Sequence, residues 1–327
     1  MEDYKNTASY LTLAGVPSES PPDNGDIFFS RDPQGTWIPS EGSRIYEIED
    51  ACVTLHDRLA ALIFGDLNLY HAILPGVPDF VFMAGLNSES SMTRDEFEKA
   101  VRSFKNSTNL NKLLYLYDCR KLVSGVQECS LEISSFLGEF YRFLNLEELF
   151  SAKVDVPDGV RYIASPATRT LTALMNFVFI RMHSSLDYTT KLIYEIEHMR
   201  KDFSTYPKLA SSNVMFSDKK RLSVNNAQGS LFESCALINE IELYRNLVIH
   251  DGFLDDLPKV YTVIKDGSIT EKFILTPDIN GKQFARYNNR ALFYGSESKI
   301  NLRLPNLVSE FQRRQESTLK LAIANFS

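Results

Sequence analysis

Cysteine is scarce in this 327-residue sequence, and long apolar runs are missing from it. The four cysteines, Cys52, Cys119, Cys129 and Cys235, form no CxxC pair and share no ligand spacing with the five histidines. That argues against a zinc module or a disulfide framework and for buried thiols in a reducing compartment. No stretch approaches the ~18 apolar residues needed to span a bilayer, so no membrane segment is expected. The longest candidate, Leu171 to Ile180, reads as part of a buried helix. The opening "MEDYKNTASY" lacks a basic segment followed by an apolar one, so a secretory signal is not expected and a cytoplasmic location is. Neither an internal repeat nor a low-complexity tract is visible.

What is present is a hydrophobic fraction of 44%, enough to fill one large core or two ordinary ones. The net charge of -7 is unevenly distributed. Residues 1–160 carry 13 Lys and Arg against 25 Asp and Glu, a net of -12, whereas residues 161–327 carry 22 against 17, a net of +5. An acidic half suits a protein-facing or self-shielding surface, and a basic half suits phosphate. Ordinary solvated faces produce the same split.

The pattern along the chain predicts a mainly α protein with small antiparallel β elements. "DPQG" at 32–35 sits between aromatic-containing runs and predicts a hairpin, with Trp37 in the core. A helix is expected over 46–64, and "LPGVPDFVFMAG" then reads as a turn into a short strand or core-lining segment. Thr93 and Glu96 form a capping box for the next helix, and two more are expected at 109–124 and 129–150. "VDVPDG", Val154 to Gly159, marks the expected boundary between domains 1–155 and 156–327.

In the second half, Ser165-Pro166 opens a long helix whose apolar positions run from Leu171 through Met199 to Phe203. A connection carrying Lys208, Lys219, Lys220 and Arg221 follows. Ser230 and Glu233 supply a second capping box, and Leu237, Ile241, Tyr244 and Val248 form the core stripe of the helix it opens. Gly252 is placed to close that helix. Beyond Pro258 the period falls to two, predicting a hairpin at Asp266-Gly267, a third strand after Asn280-Gly281, and a last helix from Pro305 to about Asn325.

The chemistry concentrates in "LYRNLVIHDG", residues 243–252. Arg245, Asn246 and His250 stand in the last turns of an otherwise apolar helix. An imidazole trades protons near neutrality, and a guanidinium stabilises negative charge on phosphoryl oxygens. On a regular helix Asn246 and His250 share a stripe, with Arg245 about 100° away at its edge. One helix is therefore not expected to unite Arg245 with His250, while two copies about a two-fold axis are. The alternative is a surface arginine beside a histidine that caps helix carbonyls.

"YRNLVIHDG" resembles the Arg-x(4–6)-His motif of HEPN domains, in which a polar residue often follows the arginine. The resemblance covers about residues 160–255, with the terminal sheet and helix as an elaboration. It implies a helical domain that dimerises, and commonly a metal-independent endoribonuclease used as a toxin or in phage defence. Arg245 and His250 are then the catalytic candidates, with Asn246 in support. Some members of that family lack nuclease activity and act as binding or dimerisation modules.

The partners expected are RNA, a second copy of the chain, and a protein trigger or inhibitor at the acidic half; no cofactor is expected. Asp187 is a candidate to orient His250 from the facing helix, though an ordinary helix-surface acid is the simpler role. Lys219, Lys220 and Arg221 form one basic run for a phosphate backbone. Lys282, Arg286, Arg290 and Arg303, interleaved with Phe284 and Tyr287, form a second that suits single-stranded RNA. His183 reads as a helix-surface residue, and His56, His71 and His198 show no metal-ligand pattern.

Overall fold

A computed structural model describes residues 10–22, 25–147, 157–210, 222–252, 254–295 and 298–325. Lys219, Lys220 and Arg221 lie outside the described residues. The chain is mainly α, with small antiparallel sheets.

β1 (Tyr10–Thr12), β2 (Phe28–Arg31) and β3 (Trp37–Pro39) pair antiparallel in that order. The "DPQG" turn joins β2 to β3 because Asp32 Oδ1 accepts from the backbone N–H groups of Gln34 and Thr36, at 2.9 and 2.7 Å. Trp37 is buried. α1 (Ile45–Phe64) and α2 (Leu67–Ile73) follow, then a 3-10 turn and α3 (Asp79–Phe82). The core-lining reading of "LPGVPDFVFMAG" holds, with Val81 and Phe82 buried, but the segment forms no strand. Pro78 and its φ of -60° lead into a helical turn instead. α4 (Arg94–Ser103) has the capping box at Thr93 and Glu96.

α5 (Ser107–Leu146) is one 40-residue helix where two were expected. The polar "VSG" before Val126 does not break it. Gly125 is there for closeness: a Cβ on it would lie 3.2 Å from the Tyr188 ring. β4 (Gly159–Ile163) precedes α6 (Pro166–Glu197), which opens on Ser165 and Pro166 as expected. It stops short of Met199 and Phe203, although Phe203 is still buried from the segment beyond.

α7 (Ala236–Asn246) continues into a π turn, Leu247–Asp251. The expected capping box at Ser230 does not form, and the helix starts later. Ser230 Oγ donates to the Ala227 carbonyl at 2.7 Å, and the Glu233 carboxylate accepts from the Gly229 N–H and pairs with Arg314 at 2.6 Å. β5 (Val260–Lys265) and β6 (Ser268–Phe273) form the expected hairpin. Their third strand is β4, in register from Gly159 opposite Ile264 to Ile163 opposite Val260. β7 (Ile279–Asn280) and β8 (Gln283–Phe284) make a separate two-stranded ribbon.

α8 (Ile300–Ala324) begins five residues before Pro305, which lies inside it. Proline offers no N–H to the carbonyl four residues back, that of Asn301. The buried Tyr141 hydroxyl donates to that carbonyl instead. The helix tolerates the proline because its orphaned acceptor has this partner.

The residues group into two compact units that are interleaved in sequence. One comprises residues 1–45, 129–184 and 234–313; the other comprises 46–128, 185–233 and 314–327. A single division after residue 155 does not reproduce this grouping, because α5, α6 and α8 each supply residues to both units. Among the described residues, no single helix is long and apolar enough to cross a membrane.

Candidate functional site

The site is built on the end of α7, in the first unit. Leu237, Ile238, Ile241 and Tyr244 are buried and hold the helix down. Tyr244 is fully buried, 4.6 Å from the Phe179 ring of α6 and 5.8 Å from the Phe284 ring of β8. Such ring contacts fix position as well as burying area. The residue that follows Tyr244 is Arg245, so the site begins where the anchor ends.

From Leu247 the backbone widens. The Gly252 N–H donates to the Leu247 carbonyl five residues back, at 3.0 Å, and Gly252 has a φ of 89° and a ψ of -36°. Only glycine takes that conformation without strain, and it closes the π turn. Leu247, three residues on from Tyr244, is buried, and the expected Val248 is half-buried. The widening brings residues five apart onto one side. On a regular helix they stand about 140° apart, whereas an i→i+5 turn brings them close to alignment.

Arg245 and His250 are five apart, and they meet. Arg245 Nη1 lies 3.2 Å from His250 Nε2 and donates to Asn246 Oδ1 at 2.8 Å. The expectation that two chains are needed to unite Arg245 with His250 is thereby corrected: the contact forms within one chain. Guanidinium only donates, so a hydrogen bond across this contact has Nε2 as its acceptor. His250 and Asn246 are exposed and Arg245 is half-buried, so the cluster opens to solvent. It combines a proton acceptor, a forked cation and an amide on one exposed turn.

The remaining candidates separate clearly. Lys282 occupies the β7–β8 turn with a φ of 72° and is exposed; Arg286 and Arg290 are exposed beyond β8. Mutual backbone hydrogen bonds of 2.7 Å between Tyr287 and Arg290 tie that loop. All three belong to the same unit as Arg245, and Phe284 packs on Tyr244. Arg303 is paired with the Glu240 carboxylate. Burial pushes the Glu240 pKa up, and the Arg303 charge counteracts it. Asp187 is half-buried on α6, in the other unit, and the ring partner of His250 is Arg245 rather than Asp187. His198 stacks on Tyr194 at 4.2 Å, and its Nδ1 lies 3.1 Å from the Tyr194 carbonyl.

Cys52, Cys119 and Cys129 are buried, and Cys235 is half-buried beside the start of α7. Burial raises the Cys52 thiol to about 12, so it is not a ready nucleophile. Sequence reasoning missed the π turn. Its one signal was the five-residue step from Arg245 to His250 just ahead of a glycine. Comparisons with family models, with characterised proteins and with solved structures find no match to this chain.

Proposed function

We propose that this protein is a metal-independent endoribonuclease of the HEPN type, acting as a toxin or anti-phage effector. The observation that carries the reading is the 3.2 Å approach of Arg245 Nη1 to His250 Nε2 on an exposed turn. RNA holds its own nucleophile, the 2′-OH, beside each phosphorus. An arriving phosphate draws the Arg245 guanidinium onto its non-bridging oxygens, because a charge-assisted bond outweighs one to a neutral ring. That releases the Nε2 lone pair, which takes the 2′-OH proton. Arg245 then stabilises the charge that develops on the phosphoryl oxygens. Asn246 Oδ1 steadies the guanidinium until substrate arrives.

One imidazole in one protonation state serves one end of this reaction. A second copy of the chain, related by a two-fold axis, supplies the acid for the leaving 5′-oxygen, so the reading retains a homodimer. Lys282, Arg286 and Arg290 track the RNA backbone from the same unit. The acid-rich first 160 residues offer a surface to a protein trigger or inhibitor.

A second reading is favoured by the same contact. Because Arg245 occupies the His250 lone pair in the free chain, the cluster also suits a non-catalytic module that binds RNA or dimerises. Incubating the purified protein with RNA in EDTA, beside Arg245→Ala and His250→Ala, separates the two. Cleavage lost in both variants supports the enzyme; RNA binding with no cleavage by the wild type supports the module.

A further inference from the structure

A cavity of about 480 Å³ lies in the second unit, where α1, α5 and the segment after α6 contribute its walls. Lys112 of α5 and Arg200 and Lys201 beyond α6 line it. None of the three has a carboxylate within ion-pair distance among the described residues. The two acids nearest in sequence are engaged elsewhere. Glu197, which also lines the cavity, accepts from the Ser223 N–H at 2.9 Å and from the Ser223 hydroxyl. Asp202 accepts from the Ser204 N–H at 2.8 Å and its hydroxyl at 3.0 Å.

Lys112 is also held in place. Lys112 Nζ lies 5.5 Å from the centroid of the Phe64 ring and 5.8 Å from that of Phe203. Phe203 is buried, and its carbonyl accepts from the buried Asn111 Nδ2 at 2.9 Å. Attraction to two ring faces fixes the ammonium without neutralising it. The rest of the wall is apolar, with Met199, Phe203 and the 48%-exposed Leu62 facing the same space. Three positive charges against one carboxylate that is hydrogen-bonded to Ser223, beside an apolar wall, are the two halves of a site for an amphipathic anion. The volume lies in the ~300–1,000 Å³ range of small-molecule sites.

We infer that this cavity binds a small organic phosphate, its dianionic head on Lys112, Arg200 and Lys201 and its apolar body against Leu62, Met199 and Phe203. A dianion matches the charge better than a monoanionic carboxylate. The arginine fork suits paired phosphate oxygens, with the lysines as point charges. This site is separate from the Arg245–His250 cluster, and the inference does not rest on the ribonuclease reading.

The test is calorimetric titration of the full chain with phenyl phosphate, inorganic phosphate and phenol. Phenyl phosphate is expected to bind, inorganic phosphate about tenfold or more weaker, and phenol not measurably, because both halves of the site are needed. Arg200→Gln with Lys201→Gln is expected to weaken phenyl phosphate about tenfold or more at unchanged melting temperature, since both residues are exposed. Leu62→Ser is expected to weaken phenyl phosphate and leave inorganic phosphate as it was. Absence of phenyl phosphate binding, equal affinity for inorganic phosphate, or binding undiminished in the double variant would each overturn the inference.

Discussion

The end of α7 and the cavity beyond α6 both gather positive charge, and they differ in what accompanies it. At α7 a single guanidinium faces an imidazole on an exposed turn. In the cavity three cations stand beside apolar side chains, and Glu197, the carboxylate that shares its lining, is hydrogen-bonded to Ser223. A cation beside a proton acceptor can assist a bond-breaking step; a cation beside an apolar wall can only hold a ligand. Arginine and lysine content does not distinguish these uses. The neighbouring groups do.

The largest expected effect falls on the first region. Replacing His250 by Ala should lower RNA cleavage by about 10²–10⁴-fold, the usual contribution of a positioned acid or base. Arg245→Ala should do comparable damage. Both residues lie off the core stripe, so thermal unfolding should stay within about 0.5 kcal/mol of wild type. Phenyl phosphate affinity should be untouched, since the cavity uses neither side chain. Parallel loss of cleavage and phenyl phosphate binding in His250→Ala would erase the distinction between the two regions.

A smaller effect is expected at Gly252. An alanine there has open space around its Cβ but is forced to a positive φ. That costs about 1–2 kcal/mol in chemical denaturation. If the π turn is what delivers His250 to Arg245, cleavage should fall further than stability explains. Destabilisation with full cleavage would show that the pair does not need the turn.

The last prediction concerns a third use of a cation. Lys272 is buried in β6 and donates to the carbonyls of Leu144 and Asn145, at 2.8 and 3.1 Å, where α5 ends. Burial lowers its pKa to about 8. The unfolded chain keeps this proton up to about 10.4, so between those values it binds more protons than the folded chain. Stability should therefore rise with pH across that window, by at most about 1.4 kcal/mol per pH unit for one proton. Below pH 8 both states are charged and the contribution is level. Urea unfolding at pH 7.5 and 9.5 should show the rise in wild type and lose it in Lys272→Met.

The features legible in the sequence are those specified by nearby residues. The turn at Asp32, the box at Thr93 and Glu96, and the start of α6 at Ser165-Pro166 need only a few neighbours, and each is observed. Features that depend on distant partners were not legible. β4 is mostly exposed and lacks alternating burial, and its strand partner lies a hundred residues onward. Gly125 reads as a helix breaker until Tyr188 is seen beside it. The start of α7 was misplaced because Glu233 is engaged by Arg314, eighty-one residues away, rather than by Ser230. Interleaving of the units follows from the same cause, since the long helices pair across the chain.

In the candidate site, the residue types were legible and their contact was not. Arg245, Asn246 and His250 stand out as polar groups in an apolar helix, but regular helical geometry separates the arginine from the histidine. The π turn removes that separation, and nothing in local periodicity announces it. Lys112, Arg200 and Lys201 gave no signal at all, because their ring and aliphatic neighbours come from α1 and α6 as well as from the segment after α6.

The most direct test of the central claim is the chemistry of the cut end. The purified full chain is incubated in EDTA with an RNA and with the same RNA carrying one 2′-deoxy nucleotide at the cut position. If the Arg245–His250 pair drives attack by the 2′-OH, the all-ribose strand yields 2′,3′-cyclic phosphate and 5′-hydroxyl ends. The deoxy position stays intact, because its nucleophile is missing. Cleavage that appears only when magnesium is added, or that leaves 3′-hydroxyl and 5′-phosphate ends, would contradict it.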